Sequence, residues 1–242
     1  MGYISEYVPK VAPFIPALIV HCVVEIESRG LNEVGIYRIS GLEREVKALK
    51  EMFLKSQTIS DLSSIDIHVL CGCVKDFLRS LKEPLIPQLS WKDFHRAIEN
   101  IDDADESKFQ MLKVIEDLPQ ANRDTLSFLV LHFQRISECE EVKMPLDNLA
   151  KIFGPTIVGF SSPESNQSTI FRELPIQFNI MKSLMSIPME YWFQFVDVRC
   201  FSAEKTLSIH SKSRQTNPLY PLYASPLKGS IRRKKILYGK KL

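Results

Sequence analysis

A chain of 242 residues with 45% hydrophobic content and no fixed-period repeat is long enough for one sizeable core, which excludes collagen-like and repeat architectures. The net charge of +2 conceals an asymmetry: residues 203–242 carry ten Lys/Arg against the single acid Glu204, net +9, leaving residues 1–202 at net −7, the opposite of a nucleic-acid-binding core. No apolar run approaches the ~20 residues needed to span a bilayer, and the N-terminus lacks a signal peptide's basic segment and cleavage site, so a soluble, cytoplasmic protein is expected.

After a lead-in over residues 1–11, Ile15, Leu18, Ile19, Cys22, Val23 and Ile26 follow the spacing of one helix face, and Gly30 supplies a C-terminal stop. The connector from Leu31 to Gly41 contains Arg38. Ser40 and Glu43 read as a capping box for a helix that turns Leu42, Val46, Leu49 and Phe53 inward. A third helix is predicted from about Asp66 to Leu81, with Leu70, Val74, Phe77, Leu78 and Leu81 inside a roughly 100° arc. Lys75, Arg79 and Lys82 project together from its other side as a basic outer stripe. Glu83-Pro84-Leu85-Ile86-Pro87 breaks that helix, because proline lacks an amide donor and disfavours helix just before it.

Further helices are expected at about 90–99 with Ser90 as cap, 106–117, 121–138, 146–153 and 171–187. The 121–138 stripe consists of Leu126, Leu129, Val130, Phe133 and Ile136, and Gly154-Pro155 closes the short helix that carries Asn148. No β-alternation competes, so the fold class is all-α: one helical domain over residues 12–200, followed by a basic, disordered tail over 201–242. Within the tail Arg232-Arg233-Lys234-Lys235 fits either a solvated run, the preferred reading, or a contact for an anionic membrane or the nuclear import machinery.

Cys22, Cys71, Cys73, Cys139 and Cys200 are odd in number and lack paired C-x-x-C spacing, so free thiols and no metal site are expected. Cys71 and Cys73, two apart on a helix, project about 200° from each other and cannot converge on one ion. His21 and His132 sit among apolar helical neighbours, where a hydrogen-bonded structural histidine is the expected role. The chain contains no phosphate loop, dinucleotide fingerprint, metalloprotease motif or nucleophile elbow. What remains is a helical scaffold offering a loop arginine and a separate basic stripe. A guanidinium is planar, permanently charged and forked, so it can stabilise charge spread over transferring phosphoryl oxygens.

The string Gly35-Ile36-Tyr37-Arg38-Ile39-Ser40-Gly41 resembles the arginine-finger loop of Rho GTPase-activating (RhoGAP) domains. Three more segments resemble that family in the expected order: Lys75 to Pro87, with its K-x-x-x-R helix and E-P-L-x-P turn, then Leu118 to Leu126, then Asn148 to Thr156. Glu190-Tyr191-Trp192 and Ala224-Ser225-Pro226-Leu227-Lys228 are similar to the cytokinetic, Rac-directed members. The resemblance covers residues 12–195 and implies an all-helical domain acting on a Rho-family small GTPase in its GTP-bound form. It implies that Arg38 reaches the partner's phosphates, that Lys75 and Arg79 line the groove that binds the GTPase, Lys75 also bracing the finger loop and Arg79 supporting the contact surface, and that Asn148 bonds main chain near the groove. GTP and Mg²⁺ belong to the partner, so no cofactor is expected in this chain. Many members carry asparagine where this chain has Thr156, a position expected to touch the GTPase; threonine has a shorter reach and lacks the amide's paired contacts. The zinc-binding C1 domain and coiled coil of the cytokinetic members have no counterpart here, and a cytoplasmic, spindle-midzone, membrane-proximal or nuclear location is the corresponding expectation. A non-catalytic adaptor using the same groove is the alternative.

Overall fold

The computed structural model describes residues 1–55, 61–99, 104–164 and 166–196, and these are helical with no strand among them. The chain divides into Met1–Lys205 and Thr206–Leu242; the second unit, the tail expected over 201–242 and Cys200 lie outside the described residues.

Helix α1 spans Ala17–Arg29, α2 Glu43–Lys55, α3 Ile67–Arg79, α4 Gln88–Glu99 and α5 Ala104–Glu116. Then come α6 over Gln120–Glu138, α7 over Leu146–Phe153, a π turn over Gly154–Val158, α8 over Gln167–Ser186 and α9 over Met189–Trp192. The predicted apolar face of α1 is buried as expected. Gly30 ends that helix at φ −100°, so a left-handed cap is not the reason for glycine there. A Cβ at Gly30 would meet the Ile26 carbonyl at 2.7 Å and the Ile67 side chain at 3.1 Å, so glycine serves the close packing of α1 on α3.

The capping box predicted for α2 is not made. Glu43 is the first helical residue, and its carboxylate takes the Lys47 ammonium at 2.6 Å. Leu42 therefore precedes the helix and is 58% exposed instead of inward, while Val46 and Leu49 are buried. Helix α3 is capped as its sequence dictates: the Asp66 carboxylate accepts the His68 and Val69 amides at 2.8 and 3.2 Å, satisfying donors that have no partner within the helix.

Helix α6 is the axis of the core. Its predicted stripe is fully buried, and so are Phe128 and Leu131 on other sides, together with the polar Thr125, Ser127 and His132. Burying a Leu or Phe side chain contributes about 1.5–3 kcal/mol, so a helix enclosed all round anchors its neighbours. Any polar group it carries must find a partner inside. Three helices begin at least two residues earlier than expected: α4 at Gln88, which places Ser90 inside it, α5 at Ala104, and α8 at Gln167, where the Asn166 side chain accepts the Thr169 amide at 2.9 Å. Pro175 lies within α8.

The lead-in is integrated into this body. Ile4 is buried, the Tyr7 ring meets Phe77 edge-on at 5.5 Å, and the Lys82 amide donates to the Gly2 carbonyl at 2.9 Å.

Candidate functional site

The loop from Gly35 to Gly41 is held at three places. The Gly35 amide donates to the Val142 carbonyl at 2.8 Å, and the Gly35 carbonyl accepts the amides of Arg38 and Ile39, both at 2.9 Å. This tight reversal puts Gly35 at φ 79°, a conformation glycine adopts without a Cβ penalty. Gly41 lies so close to the start of α3 that a Cβ there would sit 2.5 Å from the Val69 amide nitrogen and 2.6 Å from the His68 carbonyl. Between these points Tyr37 is buried at φ 64°, left-handed although it is not glycine.

Arg38 follows Tyr37 and is exposed. Its guanidinium folds back over Gly35, with Nη2 3.2 Å from where a Cβ would stand. Val34, Ile39 and Leu42 flank it as exposed apolar side chains, at 43%, 44% and 58%. A polar or small collar would be the default around a solvated arginine, and the apolar one was not read from the sequence.

The basic stripe of α3 divides. Lys75 is half-buried and its ammonium donates to the Tyr37 carbonyl at 2.6 Å, so it braces the Gly35–Gly41 loop and is not a freely projecting charge. Burial is the main cause of its lowered pKa, with the Arg79 charge adding to the effect and Cys71 opposing it. Arg79 and Lys82 are exposed, and the Lys82 ammonium lies 4.6 Å from the centre of the Tyr3 ring. Behind the loop, burial pushes the Cys71 thiol up to about 12 despite a hydrogen bond from the Tyr37 backbone. Cys22, Cys71 and Cys73 are free, buried thiols.

The Pro84–Pro87 turn docks on the π turn. The Ile86 amide donates to the Ile157 carbonyl at 2.8 Å. Gly159, at φ 65°, packs so closely on Pro84 that a Cβ would stand 2.2 Å from its Cγ. The Gly159 carbonyl accepts both the Trp91 indole N–H at 3.1 Å and the Gln177 amide at 2.6 Å. Thr156 lies within the π turn and is only 7% exposed, so its side chain offers little surface to a partner in this state.

Asn148 is half-buried at the first turn of α7 and shows no side-chain hydrogen bond among the described residues. The main-chain bond expected of it belongs to Asn122, buried in α6, whose amide donates to the Leu85 carbonyl at 2.8 Å. The sequence does not single it out, because Asn122 stands in the polar first turns of its helix beside Arg123, Asp124 and Thr125.

His132 is the second residue whose role the sequence understated. Fully buried in α6, its Nε2 lies 2.8 Å from the Tyr37 hydroxyl and its Nδ1 2.6 Å from Glu27 Oε1 on α1. The Arg135 guanidinium donates to the same Glu27 oxygen from Nε at 2.9 Å and from Nη2 at 2.6 Å. Burial lowers the pKa of His132 against the pull of Glu27, which favours the neutral ring. Burial alone would raise the Glu27 carboxyl, but the His132 hydrogen bond and the Arg135 charge outweigh it and hold the carboxyl below its usual range.

Two open clefts flank α4, one shared with α5 (Asp93, Arg96, Lys113) and one with α8 (Trp91, Arg172, Glu173); Arg38 lines neither. No group of three or more His, Cys, Asp or Glu among the described residues could hold a metal ion, and no described helix is long and apolar enough to cross a membrane.

The four segments singled out in the sequence therefore meet as one structure. Lys75 ties the α3 segment to the Gly35–Gly41 loop, Asn122 ties the α6 segment to the Pro84–Pro87 turn, and that turn packs on Ile157 and Gly159, which directly continue the segment ending at Thr156. Comparison with known proteins agrees. The family model of the RhoGAP domain matches residues 16–162. Over 198 residues the chain is 50% identical to Rac GTPase-activating protein 1 of Mus musculus, covering 81% of this chain and 31% of that protein. It is 39% identical over 154 residues to the human Breakpoint cluster region protein, covering 62% of this chain and 12% of that one. The chain thus spans about a third or less of the length of these curated relatives. The crystal structure of human Rho GTPase activating protein 15 superposes with a TM-score of 0.68 at 26% identity, covering 76% of this chain and 87% of that one. Sequence, fold and the meeting of the four segments lead to one conclusion: the chain belongs to the RhoGAP domain family.

Proposed function

We propose that this chain is a GTPase-activating domain that docks on a Rho-family GTPase in its GTP-bound form and presents Arg38 to the γ-phosphoryl group. The observation that carries the reading is an exposed arginine on an anchored backbone: Gly35 is tied to Val142, the Tyr37 carbonyl to Lys75, and Gly41 is pressed onto α3. A residue that acts at a partner's transition state needs both properties. Its head must be accessible, and its backbone must be ordered before the encounter so that little is lost on binding.

The partner would supply GTP, Mg²⁺ and the attacking water; this chain would need no cofactor. Arg38 would stabilise charge developing on the phosphoryl oxygens, Val34, Ile39 and Leu42 would exclude water around it, Lys75 would hold the loop, and Arg79 would meet the partner's surface. With 7% exposure, Thr156 would contribute a contact only where its hydroxyl reaches the surface. The relative named for Rac makes Rac the first GTPase to test. Cytokinesis and cytoskeletal signalling, in the cytoplasm or at the spindle midzone, are the proposed setting. Deleting residues 203–242 and following location would show whether the basic tail brings the domain to a membrane or the nucleus.

The decisive experiment loads purified Rac, Cdc42 and Rho with GTP and measures phosphate release and binding separately, with and without this domain. Accelerated release from at least one GTPase is expected. Binding without acceleration across the panel would replace the catalytic reading with the adaptor.

A further inference from the structure

Tyr37 is the residue immediately before Arg38, and none of its polar groups is left to solvent. Its carbonyl accepts the Lys75 ammonium from α3 at 2.6 Å, and its hydroxyl meets His132 from α6 at 2.8 Å. Its ring is caged edge-on by Phe153 at 4.9 Å and Phe133 at 6.0 Å. The backbone there is at φ 64°, a region sparsely populated by bulky L-residues, which persists only where surrounding contacts over-determine it.

With a neutral His132, which burial favours, the hydrogen bonds behind the ring run in one direction. The Glu27 carboxylate is an acceptor only, so His132 Nδ1–H donates to it. The neutral imidazole then has its lone pair on Nε2, and the Tyr37 O–H donates to that nitrogen. Arg135 holds the same Glu27 oxygen with two further bonds. The result is a continuous chain from α1 through α6 to the finger loop. A phenylalanine at 37 would fill the same cage but would leave Nε2 of a fully buried histidine without a partner.

We propose that Tyr37, with the His132–Glu27–Arg135 relay behind it, is a positioning residue for Arg38: the relay holds the left-handed turn that aims the guanidinium. The proposal rests on the arginine-finger reading above. Tyr37 itself touches no reacting group, so its effect must pass through Arg38.

The test is a cycle of Tyr37→Phe and Arg38→Ala, read as GTP hydrolysis by the responsive GTPase at saturating domain, alongside affinity for the same GTPase loaded with a non-hydrolysable GTP analogue. Tyr37→Phe is expected to lower the stimulated rate about tenfold while changing ground-state affinity less than about twofold. In the Arg38→Ala background the same change should alter the residual rate less than about twofold, which a merely structural role would not produce. Glu27→Gln serves as the second variant should Tyr37→Phe fail to fold. It keeps an oxygen for His132, weakens the hold of Arg135, and should show the same split at about threefold. If Arg38→Ala alone retains the full rate, the arginine reading falls and the positioning role with it. If Arg38→Ala is slow, the positioning role alone is overturned by either of two results for the relay variant: a full rate, or an equal loss in both backgrounds.

Discussion

Gly35–Gly41 and Gly154–Gly159 are built from the same parts and put their side chains to opposite use. Each contains a left-handed glycine, Gly35 at φ 79° and Gly159 at φ 65°, whose carbonyl is shared by two donors. At Gly35 the donors are amides of the same loop, those of Arg38 and Ile39, so the turn closes on itself and the side chains after Tyr37 face solvent. At Gly159 the donors are the side chains of Trp91 and Gln177, on α4 and α8, so the turn is knitted into the body and Thr156, Ile157 and Val158 are buried. The source of the donors thus separates a loop that can present chemistry from one that fastens the fold.

Replacing the presented side chain gives the largest expected effect. Arg38→Ala should lower stimulated hydrolysis by about 10³ or more while leaving thermal stability unchanged, and Arg38→Lys should not restore the rate, because a point charge cannot reproduce the planar fork. Circular dichroism melts alongside phosphate release check both halves. Next come the two glycines. Gly159→Ala combines a strained φ with a 2.2 Å approach to Pro84 and should destabilise by about 2–4 kcal/mol, against about 1–2 kcal/mol for Gly35→Ala, where the nearest atoms are the movable side chains of Arg38 and Ile39. Equal losses in urea unfolding would erase the distinction between the loops.

The two cations of α3 should then separate by kinetics. Arg79→Glu, at an exposed position, should slow association several-fold at low salt and converge on wild type as salt screens the charge, whereas Lys75→Met should lower the hydrolysis rate with little change in salt dependence. Stopped-flow association across an ionic-strength series reads the difference. The smallest effect is expected at Thr156→Asn. At 7% exposure the larger side chain should change stability by no more than about 1 kcal/mol, and any gain should appear as a shift of a fewfold in ranking over the GTPase panel.

Much of the scaffold was legible because apolar spacing at helical period marks what must be buried. The stripes of α1, α3 and α6 are found where their sequences place them, and α7 matches residue for residue. The errors fall where a distant contact decides. Ser40 looks like a helix cap, but its neighbour Gly41 is pressed against the start of α3, and the helix begins at Glu43. Helical spacing alone makes Lys75 an exposed charge, and only the family resemblance points to the loop whose Tyr37, 38 positions away, supplies its carbonyl. Asn148 and Asn122 are equally plausible as main-chain anchors, and only the approach of Leu85 selects Asn122. His132 is recognisable as a hydrogen-bonded histidine from its neighbours; that its partner is the residue before Arg38 depends on a contact spanning 95 positions.

The docking of the first residues onto the end of α3 sets a rule for handling the protein. The Gly2 amide donates to the Tyr7 hydroxyl at 2.9 Å and the Gly2 carbonyl holds the Lys82 amide, so whatever is joined ahead of Met1 issues beside Lys82. An affinity tag or fluorescent fusion at that end would crowd the exposed Lys82 ammonium, so the proposed association is best measured with that end left free.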